Sequence, residues 1–153
     1  MDSRTPALLV IEDVRDQAVL VSIAARRAHP GLAVHIAADG GSGIAYLEGA
    51  PPFDDRRAYP LPDLVILDLL MPEVDGFEVL EWIRGRSEPL NVPVVVLTSS
   101  PKAGDEDRAL GLGATAVFRK PTGLEEMGEV VRSIVHEWIG TSTIIGSHLR
   151  DSG

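Results

Sequence analysis

Short apolar stretches recur along this chain, separated by longer segments of helical period. That alternation restricts the fold more than any other feature. The stretches are Ala7–Ile11, Leu32–Ala37, Leu64–Leu67, Val92–Leu97 and Thr115–Phe118. Each is too short for a helix that could bury a face. The third and fourth are rich in β-branched residues and show no polar alternation, the pattern of parallel strands covered on both faces. The helical segments are Val14–Ala28, Gly41–Leu47, Gly76–Arg84, Ala103–Leu112 and Glu125–Trp138. The last sets Met127, Val130, Val131, Ile134 and Trp138 on one broad stripe, which core packing explains for most of its width. Five β-α units in succession predict an α/β fold with a doubly wound, five-stranded parallel sheet. Right-handed crossovers and the flavodoxin-like strand order 2-1-3-4-5 are expected.

One domain is expected over residues 1–139, with 140–153 as a C-terminal tail or dimerisation arm; 153 residues suit a single core. Two segments break the alternation. Gly49–Pro62 holds four of the chain's 11 prolines and reads as a long loop before the third strand. Gly140–Gly153 is rich in Gly, Ser and Thr, yet Thr141–Ile145 is β-branched and bounded by glycines, so it has strand character. Such an arm could pair with the sheet edge or cross to a second copy, and a homodimer is expected. The 23 acids outweigh 14 Lys and Arg, for a formal charge of -9. That argues against nonspecific binding to nucleic acid or to an anionic membrane surface. With no cysteine there is no disulfide and no thiolate metal site. The first six residues carry no apolar leader, and no apolar run approaches the roughly 20 residues of a membrane span. A cytoplasmic location is expected.

In doubly wound sheets, functional groups gather at the carboxyl ends of the strands near the switch in strand order. The sequence can be tested against that rule. The first strand ends in Glu12-Asp13, the third in Asp68, the fourth in Thr98-Ser99-Ser100 and the fifth in Lys120-Pro121. Taken singly, each has a mundane account: an Asp after a strand is often a helix cap, and a lone Lys is usually solvated. Four polar strand ends on one edge are much harder to dismiss.

The residue types suit phosphoryl chemistry. Carboxylates held close together repel one another and raise each other's pKa. A hard divalent cation relieves the repulsion, and carboxylates with a carbonyl and waters suit magnesium. A carboxylate can act as nucleophile and form an aspartyl phosphate. The developing anionic charge then needs a cation and a hydrogen-bond donor. Lys120 offers the first and the Thr98 hydroxyl the second. No Gly-rich phosphate loop is present. Gly40, Gly41 and Gly43 read as a turn and helix start.

Taken together, LVIED (Leu9–Asp13), DLVILDLLMPEVDG (Asp63–Gly76), VPVVVLTS (Val92–Ser99), GLGA (Gly111–Ala114) and Lys120-Pro121 resemble the receiver domains of two-component response regulators, the chemotaxis-regulator type. The resemblance spans nearly all of residues 7–138. It implies that Glu12, Asp13, Asp68 and the Leu70 backbone carbonyl hold Mg2+. It further implies that Asp68 is the phosphoacceptor, Thr98 the switch hydroxyl and Lys120 the phosphate-pairing lysine. A cis Lys120–Pro121 bond is implied as well. Gly76 is expected to close the turn after the phosphoacceptor through a positive φ. The long Gly49–Pro62 loop, the TSS after the fourth strand, the acidic stretch Gly104–Asp107 and the short tail are similar to single-domain regulators paired with bacterial phytochromes. On this resemblance the chain takes phosphate from a histidine kinase, of phytochrome type on the narrower likeness. It then signals by protein contact and is not a turnover enzyme. The alternatives are a degenerate receiver acting as scaffold and an Asp-nucleophile phosphohydrolase, but Leu70 stands where the latter places its second Asp. One departure is plain. Receivers usually carry Tyr or Phe three residues before the lysine, and here that residue is Val117. Phe118, one place later, should face the opposite side of the sheet.

Overall fold

The computed structural model describes residues 4–99 and 102–140. The expected arm at Thr141–Ile145 lies outside the described residues. Five strands and five helices alternate: β1 (Ala7–Ile11), α1 (Arg15–Ala28), β2 (Ala33–Ala37), α2 (Gly40–Glu48), β3 (Leu64–Leu67), α3 (Gly76–Arg84), β4 (Val94–Thr98), α4 (Asp105–Gly111), β5 (Ala116–Arg119) and α5 (Leu124–Trp138). The sheet is parallel throughout, in the order 2-1-3-4-5. The doubly wound arrangement expected from the sequence is the one observed.

Alternation along each strand splits the core in two. Leu9, Ile11, Val65, Leu67, Val94 and Val96 face one way and pack with Tyr46, Leu47, Phe77, Val79 and Leu80 of α2 and α3. Leu8, Val10, Leu64, Ile66, Val95 and Leu97 face the other way and meet Val21 and Ala25 of α1 and Val131, Ile134 and Val135 of α5. Every residue of β3 and β4 is buried, which accounts for their unbroken apolar sequences. Phe118 joins the α1–α5 side and meets Trp138 edge-on with ring centroids 6.2 Å apart, while Val117 packs on the opposite side.

The element ends differ from the sequence expectation where backbone chemistry intervenes. Helix α4 begins at Asp105, not Ala103, because Gly104 adopts φ 94°, which a right-handed helix cannot include. Strand β4 begins at Val94, after Pro93, which has no N–H to give to a ladder. The Gly49–Pro62 loop is irregular, as expected, but it is anchored. Arg56 donates to the Tyr46 and Leu47 carbonyls at the end of α2, both at 2.9 Å, and to the Tyr59 carbonyl at 3.0 Å. It thereby satisfies helix-terminal acceptors that would otherwise need water. Phe53 and Tyr59 stack around Tyr46, whose hydroxyl donates to the Pro60 carbonyl at 2.8 Å. Burial pushes the Tyr46 phenol up to about 12.

Two glycines in the fold are required for close approach. A Cβ on Gly76 would lie 2.4 Å from the Asp68 carbonyl oxygen, and one on Gly40 would lie 2.2 Å from that of Val74. Gly76 is not among the residues at positive φ, so the sequence expectation about its torsion is corrected: what matters is the missing side chain. The residue at positive φ in this turn is Glu73, at 66°. Gly76 heads α3, where helix propensity alone would favour alanine by about 1 kcal/mol. The backbone contact predicts the opposite sign. Gly76→Ala should lower stability by about 1–3 kcal/mol in urea denaturation, the scale of overpacking a fixed site; a stabilised variant would refute the steric account.

Candidate functional site

Strand register brings the polar ends together. Ile11 pairs with Leu67, so Glu12-Asp13 and Asp68 leave adjacent strands at the same level, and the Asp68 amide donates to the Ile11 carbonyl at 3.1 Å. Thr98 closes β4, and its carbonyl accepts from the Lys120 amide at 2.8 Å. That ladder bond places Lys120. The cis Lys120–Pro121 bond implied by resemblance is not observed; among the described residues the cis bond is Pro51–Pro52.

Glu12, Asp13 and Asp68 each offer a carboxylate oxygen within 4.8 Å of the others. Glu12, Asp68 and Thr98 are buried. The Lys120 ammonium reaches Glu12 Oε1 at 2.7 Å and Asp68 Oδ2 at 3.5 Å, and donates also to Gln17 Oε1. Glu12 Oε2 accepts from the Val14 amide at 3.1 Å, which ties the carboxylate to the start of α1. Burial pushes the Glu12 carboxyl up; the Lys120 hydrogen bond opposes this and the Asp68 charge reinforces it. The repulsion expected from the sequence is thus present at Glu12, with desolvation ahead of it.

The mundane accounts of the two aspartates fail on inspection. Asp13 caps no helix, since the N-cap of α1 is Val14. Asp68 does not cap α3 either; Asp75 does, in a reciprocal box with Glu78 whose two bonds measure 2.9 and 3.0 Å. Asp13 Oδ1 is buried, and among the described residues it has no hydrogen-bond partner. A buried, unpaired carboxylate oxygen beside two further carboxylates is a hard-oxygen donor set, and it fits a divalent cation.

Leu70 follows the site, 48% exposed, with its amide 3.5 Å from Asp68 Oδ1. Val14 is exposed too, and Val19, Ile23 and Leu124 are exposed along a groove from α1 to the start of α5. Beside Thr98, where Val117 replaces the usual aromatic, lies a cavity of about 300 Å³ lined also by Lys102, Asp105 and Phe118. Ser100 lies outside the described residues. Gln17 was not legible as a site residue in the sequence, because its role depends on where the first turn of α1 falls.

Three comparisons place this geometry. The profile of the response regulator receiver domain matches residues 8–132. A probable methanogenesis regulatory protein, FilR2 of Methanothrix harundinacea, is 34% identical over 134 residues, covering 87% of this chain and 83% of its own. Among solved structures, the phosphorylated cyanobacterial phytochrome response regulator RcpA superposes with a TM-score of 0.82 at 27% identity, covering 92% of this chain and 98% of its own. The Mn2+-bound form of the response regulator Rcp1 gives 0.79 at 28% identity, covering 91% and 98%.

The donor set makes a two-sided prediction for Asp13→Ala. In chelator the variant should be more stable in urea than the parent, because one of three like charges is gone. In titration calorimetry its affinity for Mg2+ should fall by roughly tenfold or more, since hard-cation affinity follows the count of charged ligands. Unchanged Mg2+ affinity would remove Asp13 from the ligand set.

Proposed function

The chain belongs to the response regulator receiver domain family, and on that premise we propose that Asp68 accepts a phosphoryl group from the phosphohistidine of a histidine kinase. The observation that carries this reading is the meeting of one buried nucleophilic carboxylate, two neighbouring carboxylates and one ammonium at a single sheet edge. An Asp68 carboxylate oxygen attacks phosphorus, a P–O bond forms, and the P–N bond breaks with its electron pair left on the imidazole. Glu12, Asp13, Asp68 and the Leu70 carbonyl would hold Mg2+. When bound, that ion supplies positive charge to the phosphoryl oxygens. Lys120 moves toward the transferred group and balances its added charge. The Thr98 hydroxyl donates to a phosphoryl oxygen and draws the β4–α4 loop with it. The cavity beside Thr98, where Val117 stands, leaves room for that movement.

The kinase arrives as a protein, and the exposed apolar residues of α1 beside the acidic edge suit a helical partner. The likeness to RcpA supports a phytochrome-type kinase. The output is protein contact, in the cytoplasm; no helix of the described residues is long and apolar enough to cross a membrane.

Asp68→Asn keeps the shape and removes the nucleophile. It should abolish acid-labile labelling from acetyl phosphate while leaving the urea midpoint close to that of the parent. Full labelling of the variant would move the acceptor elsewhere, whereas an unlabelled parent would favour a scaffold role. A homodimer through residues 140–150 is a further part of the proposal. Truncation after Ile139 should give a folded monomer by light scattering, and a truncated chain that remains dimeric would rule out residues 140–150 as the main contact.

A further inference from the structure

The Lys120 ammonium carries three protons, and three acceptors face it from three elements. Glu12 Oε1, just past β1, accepts at 2.7 Å; Gln17 Oε1, in the first turn of α1, accepts as well; Asp68 Oδ2, just past β3, stands back at 3.5 Å. The lysine side chain is 6% exposed, so water contributes little to its solvation. Three protons suffice for three acceptors, so the longer gap to Asp68 is a matter of position: an ammonium held by Glu12 and Gln17 lies where those two bonds put it, and one of them must lengthen before it closes on Asp68. Glu12 already has a part as a cation ligand. Gln17 is neutral, and the partner its carboxamide oxygen meets is the Lys120 ammonium.

We infer that Gln17 is a positioning residue that holds the Lys120 ammonium back from Asp68 in the resting chain. Phosphorylation then has to draw the lysine off the Gln17 amide before the ion pair with the phosphoryl group closes. Gln17 is reachable from outside, since with Val19, Leu20, Ile23 and Leu124 it lines an open apolar groove between α1 and the start of α5. The inference rests on the reading of Asp68 as phosphoacceptor.

The test uses the full chain and two probes, magnesium beryllofluoride as a phosphoryl analogue and acetyl phosphate as a small donor. Gln17→Met keeps the length and bulk of the side chain and removes the acceptor. Beryllofluoride affinity should tighten by roughly three- to tenfold, the scale of freeing one hydrogen bond of a charged donor shared among several acceptors. Labelling by acetyl phosphate should quicken in similar proportion. In a Lys120→Met background the same substitution should change beryllofluoride affinity by less than about twofold, since no amine remains to be held. Unchanged or weaker affinity in the background that retains Lys120 overturns the inference. An equal gain in both backgrounds overturns it too, because the effect then comes through packing. Should Gln17→Met fail to fold, Gln17→Asn withdraws the oxygen by one methylene and answers the same question. A parent chain that takes neither probe defeats the Asp68 reading itself, and the inference falls with it.

Discussion

Three carboxylates crowded at a buried strand edge, with one ammonium among them, set the conditions for everything around them. Unit charges at such separations repel by about 3 kcal/mol per pair at an effective dielectric of about 20. A chain holds that arrangement only if the backbone beneath it is rigid and the missing positive charge can be supplied. Both conditions are visible in the structure. The strand ends lie in a sheet covered on both faces, and the oxygen of Asp13 that finds no partner among the described residues is an acceptor that a divalent cation would complete.

Rigidity comes from backbone packed on backbone. The turn after β3 folds back so tightly that Gly76 rests on the carbonyl of Asp68, while α2 presents Gly40 to the carbonyl of Val74 in the same turn. Capping duty at α3 falls to Asp75, which leaves Asp68 unspent. Glu12 combines two tasks: one oxygen steadies the first turn of α1 and the other binds Lys120. The acidic edge and the helix that carries Gln17 are therefore one mechanical unit.

The sheet order, and the gathering of Glu12, Asp13, Asp68, Thr98 and Lys120 at the ends of β1, β3, β4 and β5, could be read in the sequence, because both follow from hydrophobic period and from what lies immediately after each strand. What could not be read depends on contacts distant in sequence or on torsions. Arg56 sits in a proline-rich loop like any surface arginine, and its grip on the end of α2 exists only once the loop has folded back. Gly76 was recognisable as necessary but for the wrong reason, since a motif records that a glycine is present and not which atom it must clear. The late start of α4 turned on the torsion at Gly104. The separation of Val117 from Phe118 was legible, since strand alternation alone assigns their faces.

Helix α4 differs in kind from the other four. It has seven residues, and the one that it buries is Ala109. It meets α3 through the Arg84 bond to the Gly111 carbonyl at 2.6 Å and the Arg108 guanidinium 3.9 Å from the centre of the Phe77 ring. A helix of two turns is marginal in water, and little apolar area holds this one down. Opening it locally costs a small part of what global unfolding costs. This lightly held helix adjoins Thr98 and its cavity, which Asp105 and Glu106 also line. Among the described helices α4 is the shortest and buries the fewest residues, so beyond Thr98 the least apolar area resists local opening.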